Sequence, residues 1–203
     1  MKEKPMVGET LILASLSSYR AQLLKKAGLS FFVEGASFDE REVEKTGKTK
    51  NPKELSCFLA SAKAKNVSDR FPDALVIGCD QVLDLEGKIL HKVKSKQEAY
   101  QRLCTLSGKV HSLHSGVALF QNGQEIWVEA FSAHMSVRPL SSEFIERYLI
   151  RVGADVLNSV GMYQIEGEGI HLFEKIDGDF FTIIGLPLLP LLIKLRHFGV
   201  IDG

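Results

Sequence analysis

Two uninterrupted apolar runs stand out in the first half of the chain. LILAS (Leu11–Ser15) and ALVIGC (Ala74–Cys79) lack the alternation of half-exposed strands, so both predict short strands buried on two faces. Between them, Ser17 or Ser18 caps a helix through YRAQLLKKA that Gly28 ends, and FFVEG starts a second strand. The stretch DEREVEKTGKTKN has no apolar period and predicts a polar loop. From Pro52 to about Arg70, Leu55, Phe58, Leu59 and Ala62 form an i, i+3, i+4, i+7 stripe of one helix, with Lys63 and Lys65 beside it.

The second half is punctuated by capping and turn chemistry. SKQE (Ser95–Glu98) is a capping box opening a helix to Leu106, which Gly108 terminates. KVHSLHSGVALF and EIWVEAFSAHMSV flank Asn122-Gly123, a strong hairpin signal. Ser141 or Ser142 starts a helix bearing Phe144, Ile145, Tyr148, Leu149 and Val152. IHLFEKIDGDFFTIIG predicts two strands joined near Gly178, and PLLPLLIKLRHFG a closing helix with proline in its first turn and Gly199 after its last. No repeat or linker divides the chain, so residues 1–203 are read as one domain. The predicted class is α/β, with a mixed, elongated central sheet flanked by helices.

Composition narrows the function. A chain of 203 residues can bury about 70% of its unfolded surface and needs no metal or disulfide staple to fold. With 45% hydrophobic and 25% charged residues it is globular rather than disordered. Lys+Arg and Asp+Glu number 25 each, so there is no global field to gather a nucleic-acid polymer or an anionic membrane, and an anionic ligand must be held by a local cluster. Cys57, Cys79 and Cys104 are scattered and odd in number, which predicts reduced, buried thiols in a cytoplasmic protein. The N-terminal residues lack the apolar core of a signal peptide, and the greasiest stretch, Phe180–Leu195, is broken by Gly185, Pro187 and Pro190. That stretch falls short of the roughly 20 apolar residues a membrane span needs. A soluble, cytoplasmic protein is expected.

Four polar clusters interrupt the apolar runs. In ASLSSYR, hydroxyls, free backbone N–H groups and Arg20 at a helix start suit a phosphate chain, although a serine cap alone is common. Asp39-Glu40 could hold a divalent cation or be solvated surface. Asp80, directly after a buried run, is costly unless paired or at an edge, which makes it a candidate base or metal ligand. Lys63 and Lys92 each lie near an acidic cluster. The six histidines have no shared ligand spacing; His111 and His114, three apart in a strand, point to opposite faces.

In this order the clusters resemble the Maf family of nucleoside triphosphate pyrophosphatases. LASLSSYR is similar to that family's L-A-S-x-S-P-R-R opening, FDE to its early acidic pair, and ASAKAK to its helical lysine. VIGCDQV resembles V-I-G-A-D-T, HK the G-K-P lysine, and LSG…H…SGVALF the central hairpin. GMYQIEGEG resembles A-G-x-Y-x-I-Q-G, and IDGDFFTIIGLPLLPLL the I-x-G-D-x-x-x-V-x-G-L-P-L ending. The resemblance implies two lobes with the active site in the cleft between them, and hydrolysis between the α- and β-phosphates of a nucleotide. It makes Asp80 the proton acceptor, Ser15, Arg20, Lys63 and Lys92 phosphate contacts, and Glu40 with Asp80 the side that holds a divalent cation (Mg, Mn or Co). The partner implied is a small nucleotide and neither nucleic-acid polymer nor membrane; a homodimer is left open.

Tyr19, Gln81 and Glu166 stand where the family's thymidine/uridine branch carries Arg, Thr and Gln, and resemble its 7-methyl-GTP branch. N7-methylation makes guanine cationic; an aromatic face attracts a cation, and a carboxylate can accept from the guanine N1–H and N2–H₂ edge. The alternatives are a dTTP or UTP pyrophosphatase, or a nucleotide-binding regulator of septum formation with little catalysis. Ser18, Ala21 and Val93 depart from the family's Pro, Arg and Pro.

Overall fold

The computed structural model describes residues 10–46 and 49–202. Residues 1–9, where the signal-peptide reading begins, and Gly47 and Lys48 of the polar stretch lie outside the described residues. The strands are β1 (Leu11–Ala14), β2 (Phe32–Val33), β3 (Leu75–Leu85), β4 (Lys88–Leu90), β5 (Val110–Gln121), β6 (Gln124–Val137) and β7 (Phe173–Asp177). The helices are α1 (Ser18–Lys26), α2 (Glu40–Thr46), α3 (Pro52–Ser68), α4 (Lys96–Leu106), α5 (Ser142–Val152), α6 (Phe180–Ile184) and α7 (Leu188–His197). They build a mixed sheet of order β2-β1-β3-β5-β6-β7, with β4 beside β3. β1 runs parallel to β2 and β3, and every other pairing is antiparallel.

β3 organises the sheet. It runs to Leu85 rather than ending at Cys79, so Asp80 lies inside the strand and not past its end. The polar pair Asp80-Gln81 reads as a terminus in the sequence, yet β5 carries the ladder through it, pairing Asp80 with Gly116 and Gln81 with Ser115. On the other edge the neighbours do stop: β1 pairs as far as Gly78, and the pairing with β4 starts only at Leu83. A gap therefore opens in the sheet beside residues 79–82. β4 turns back from β3 through Glu86 and Gly87, both at positive φ (55° and 79°), the conformation of a tight hairpin.

The same position divides the core. Leu75, Ile77 and Cys79 join Leu11, Leu13 and the α7 leucines Leu191 and Leu195 in one apolar cluster. Leu83 and Leu85 join α4, α5 and late β6 residues, with Tyr148 and Met135 at the centre of a second. Between the two clusters stand the polar pair Gln81 and Ser115. This is the physical content of two lobes on one long sheet.

α3 covers the opposite face. Its buried side joins Leu55 and Leu59 of the expected stripe to Ser56, Ala60, Lys63, Ala64 and Val67, while Phe58 of that stripe is 36% exposed. Glycines in the sheet explain the choice of small residues. A Cβ on Gly78 would lie 2.1 Å from the Ala60 carbonyl oxygen, and one on Gly116 would lie 2.2 Å from that of Ser56.

Two further elements differ from the sequence reading. The polar stretch after Asp39 contains α2, whose Val43 packs on Leu55, Leu59 and Val82. FFTII is a helix, not a strand: Asp179 caps the Thr182 N–H, and Gly185 closes the turn at φ 101°. Of the three free cysteines only Cys79 is fully buried, while Cys57 is half-buried and Cys104 exposed. Burial pushes the Cys79 thiol up to about 11, which keeps it protonated and inert. Among the described residues, no helix is long and apolar enough to cross a membrane.

Candidate active site

The sheet gap opens into a cleft of about 1080 Å³, walled by α1, the Gly35–Glu40 loop, α3, the chain after β4 and the segment 155–166. Asp80 lies at its floor. Asp80 and Lys63 are each only 7% exposed, and the Lys63 Nζ donates to Asp80 Oδ1 at 2.7 Å. The same ammonium lies 2.8 Å from Oε1 of the exposed Glu40, at the start of α2. One cation thus bridges two carboxylates. Burial pushes the Asp80 carboxyl above the usual carboxylate range, while Lys63 and then Arg20 pull it back. The balance makes Asp80 a stronger base than a free aspartate.

Arg20 is held from three sides. Its Nε donates to the Gly185 carbonyl at 2.7 Å, and its Nη1 donates to the Cys79 carbonyl at 3.0 Å and to Ser15 Oγ at 3.1 Å. Ser17 caps α1, and its own N–H reaches Ser15 Oγ at 3.4 Å. The turn Ser15–Ser17 and the first turn of α1 therefore present a fixed guanidinium and backbone N–H groups to the cleft. Lys92, two residues beyond β4, faces the same space. Partial desolvation, and then Arg20 and Lys63, hold its ammonium below the ordinary lysine value. The expected phosphate group of Ser15, Arg20, Lys63 and Lys92 is brought together around Asp80.

The three expected specificity residues are not equivalent. Tyr19 and Glu166 both line the cleft. The Tyr19 hydroxyl accepts a hydrogen bond from Gln164, and its pKa is raised by burial, then by Glu166 and Asp155. Gln81 lines the cleft, but its Nε2 donates to Ser115 Oγ (3.0 Å) and to the Thr182 (3.1 Å) and Ile183 (3.0 Å) carbonyls. Its amide nitrogen fastens α6 over the junction of the two lobes. Asp155, which belongs to none of the motifs above, and Gln164, which lies in GMYQIEGEG but was not among the expected site residues, also line the cleft.

Glu40 and Asp80 converge on one cationic position. Two carboxylates, with substrate phosphates and water completing the shell, fit a Mg²⁺-type ion. Among the described residues no group of three or more His, Cys, Asp or Glu side chains could hold a metal on its own. His111 and His114 lie apart, as expected: His111 Nε2 meets the Tyr163 hydroxyl at 2.6 Å, and His114 Nδ1 meets Ser132 Oγ at 2.8 Å.

A two-lobed mixed sheet whose cleft brings together the buried Asp80, the cations Arg20, Lys63 and Lys92, and Tyr19 is an α/β architecture with its candidate site between the lobes. Residues 10–198 match the family described as Maf-like protein, and the chain belongs to that family. It is 88% identical to the 7-methyl-GTP pyrophosphatase of Bartonella henselae, over 98% of this chain and 100% of that one. It is 50% identical to the 7-methyl-GTP pyrophosphatase of Rhizobium meliloti, over 95% of this chain and 98% of the relative. A solved dITP/XTP pyrophosphatase from Mycobacterium abscessus is a distant likeness, with a TM-score of 0.43 and 13% identity over 92% of this chain and 93% of its own.

Proposed function

We propose that this protein hydrolyses the α–β phosphoanhydride of 7-methyl-GTP, taking up one water and releasing the nucleoside monophosphate and pyrophosphate. The observation that carries the reading is the buried Asp80–Lys63 pair at the floor of a cation-lined cleft. Attack on a phosphoryl group is opposed by its negative charge. Arg20, Lys63 and Lys92 neutralise that charge, and their fixed positions are worth most as it spreads in the transition state. Asp80 orients the attacking water and takes its proton, a role its raised pKa favours. A divalent cation held by Glu40 and Asp80 would polarise the phosphate oxygens when bound.

The base end supports the choice of nucleotide. Tyr19 offers a π face to a methylated, cationic guanine, a contact worth roughly 0.5–2 kcal/mol. Glu166 is an anion that can accept from the guanine edge, where a neutral glutamine would add no attraction for a cation. Relatives 88% and 85% identical that carry the 7-methyl-GTP pyrophosphatase name support the same reading over a dTTP or UTP enzyme or a septum regulator. The substrate is a small molecule of the cytoplasm, and no nucleic-acid polymer or membrane is a partner. The residues act as one domain.

The test is pyrophosphate release from a panel of 7-methyl-GTP, GTP, dTTP and UTP with Mg²⁺, Mn²⁺ or Co²⁺. The highest kcat/KM should fall on 7-methyl-GTP. A higher value for UTP or dTTP would overturn the substrate, and no release from any nucleotide would overturn the enzyme.

A further inference from the structure

We propose that Glu98 and Arg102, four residues apart on one face of α4, form a bracket that positions Lys92 for the phosphate chain, although neither of them lines the cleft. The inference deepens the proposed function and rests on it, because Lys92 is a phosphate contact in that reading.

Lys92 needs a bracket because nothing at the end of its side chain holds it. Among the described residues its ammonium forms no hydrogen bond or ion pair, whereas Lys63 is held by Asp80 and Glu40, and Arg20 by three oxygen acceptors. The place of its charge is set by the backbone on either side. That backbone is a strap: β4 stops at Leu90, α4 starts at Lys96, and residues 91–95 have no regular structure. His91, Lys92, Val93 and Lys94 of the strap all line the cleft.

α4 fixes the strap on both sides of Lys92. Upstream, Arg102 Nη2 donates to the His91 carbonyl at 2.7 Å, in the peptide that joins His91 to Lys92. Downstream, the Lys94 N–H donates to Glu98 Oε2 at 2.8 Å. In an ordinary capping box this acid would reach the N–H of the cap residue, Ser95. Here it reaches one residue further back, into the strap, while Ser95 Oγ accepts from the Glu98 N–H at 3.2 Å. Between the two fixed points, Val93 packs on the second apolar cluster.

The bracket itself is anchored. The other arm of Arg102, Nη1, donates to the Val160 carbonyl at 2.8 Å. Val160 is buried in the same cluster, and two residues on, the Met162 carbonyl accepts from the Tyr148 hydroxyl at 3.1 Å. One arm of the guanidinium is therefore seated on the core, and the other extends to the strap. A planar fork does this with defined geometry, which a lysine ammonium would not. Among the described residues Arg102 forms no ion pair, so these two carbonyls are what its charge serves.

The experiment is a double-mutant cycle on pyrophosphate release from 7-methyl-GTP and GTP, with the melting temperature of each protein. Arg102→Met and Glu98→Ala are made in the parent and in Lys92→Ala. In the parent each should lower kcat/KM about three- to tenfold, within the range of couplings between neighbouring residues. The factor should be the same for both nucleotides, since Lys92 meets phosphate and not base. In the Lys92→Ala background each should cost less than about twofold, because the group they position is gone. A general loss of packing would cost the same factor in both backgrounds. If Arg102→Met does not fold, the Glu98→Ala cycle decides alone, as that variant leaves the Val160 anchor intact. A parent that releases no pyrophosphate would overturn the proposed function and this inference with it. An active parent that keeps full kcat/KM in Lys92→Ala would remove the phosphate role of Lys92, and with it the need for a bracket. An active parent slowed by Lys92→Ala, in which the α4 variants are silent or cost the same factor with and without Lys92, would overturn the bracket alone.

Discussion

Lys63 reaches Asp80 at 2.7 Å because the helix that carries it rests directly on the sheet strand that carries the aspartate. The approach is possible only where the sheet has no side chain: Gly78 precedes Asp80 by two residues on the same face, and Gly116 is its cross-strand partner. Glycines that look like packing residues thus set the geometry of the Asp80–Lys63 pair. A buried carboxylate on β3 without this lysine would carry an unpaired charge, at a cost of several kcal/mol.

Replacing Asp80 by Asn keeps the shape and removes both the proton acceptor and one carboxylate beside Lys63. The loss in kcat should be at least about a hundredfold, in line with the 10²–10⁴ typical of general-base groups. Binding of a non-hydrolysable nucleotide, measured by calorimetry, should be largely kept, since Arg20, Lys63 and Lys92 remain. Near-normal turnover of the Asn variant would remove Asp80 from the chemistry.

Gly78→Ala and Gly116→Ala should separate α3 from the sheet. A new methyl group 2.1 or 2.2 Å from a helix carbonyl cannot be absorbed by a flexible side chain, because the obstacle is backbone. Overpacking of this kind costs about 1–3 kcal/mol. The structural claim is checked by urea unfolding, and the functional one by kcat, which should drop more than stability alone explains as Lys63 withdraws from Asp80. An alanine at either position with unchanged kcat would show that the pair tolerates the displacement.

How much of this was legible in the sequence follows from how local each signal is. The Ser17 cap, the Ser95 capping box and the Asn122-Gly123 turn, with φ of 49° and 69°, are set by chemistry within four residues, and each was readable. The length of β3 was not, because the break in its pairing belongs to its neighbours β1 and β4 and leaves no mark on its own residues beyond a polar pair. FFTII, rich in aromatic and β-branched residues, carries strand propensity. Asp179, Gly185 and the donors Gln81 and Ser115 select the helix instead, and two of those four are about 70 to 100 residues away. Ser15, Arg20, Lys63, Asp80 and Lys92, which the fold gathers in one cleft, were legible as motifs. Asp155 was not, since a single aspartate carries no pattern, and only the fold brings it into the cleft lining.

His111 makes acid stability a measurable property. Buried against Tyr163 and Phe173, with its Nδ1 unpartnered among the described residues, it has its pKa lowered by burial to about 4 from the usual 6.5. A base with a depressed folded pKa binds its proton first in the unfolded chain. Its contribution is therefore complete above about pH 6.5 and is lost as the pH falls toward 4, by on the order of 3 kcal/mol in all. Unfolding free energies measured from pH 7 to 4 should fall accordingly. His111→Phe, which cannot titrate, should flatten this part of the curve even though it gives up the Tyr163 hydrogen bond. An equally steep curve in the Phe variant would assign the acid loss to other groups.

The bonds of Gln81 predict that two residues of the expected specificity set behave in opposite ways. In Gln81→Thr the shorter side chain cannot reach the Ile183 carbonyl, whereas the Thr182 carbonyl keeps the Ser115 hydroxyl and the Gly185 N–H. An unsatisfied buried acceptor costs about 1–3 kcal/mol, so the melting temperature should fall. Ile183 and Ile184 line the cleft, and the Gly185 carbonyl orients Arg20, so turnover should fall for 7-methyl-GTP, GTP and UTP alike. Glu166→Gln changes a side chain with no such internal duty. It should leave the melting temperature nearly unchanged and lower kcat/KM for 7-methyl-GTP roughly ten- to a hundredfold, the worth of a charged hydrogen bond, while UTP is held or improved. The two variants are read on the same two axes, melting temperature and the 7-methyl-GTP/UTP ratio. A Gln81→Thr protein of normal stability with an altered ratio would return Gln81 to the base pocket, and its hydrogen bonds to α6 would then be incidental to the chemistry.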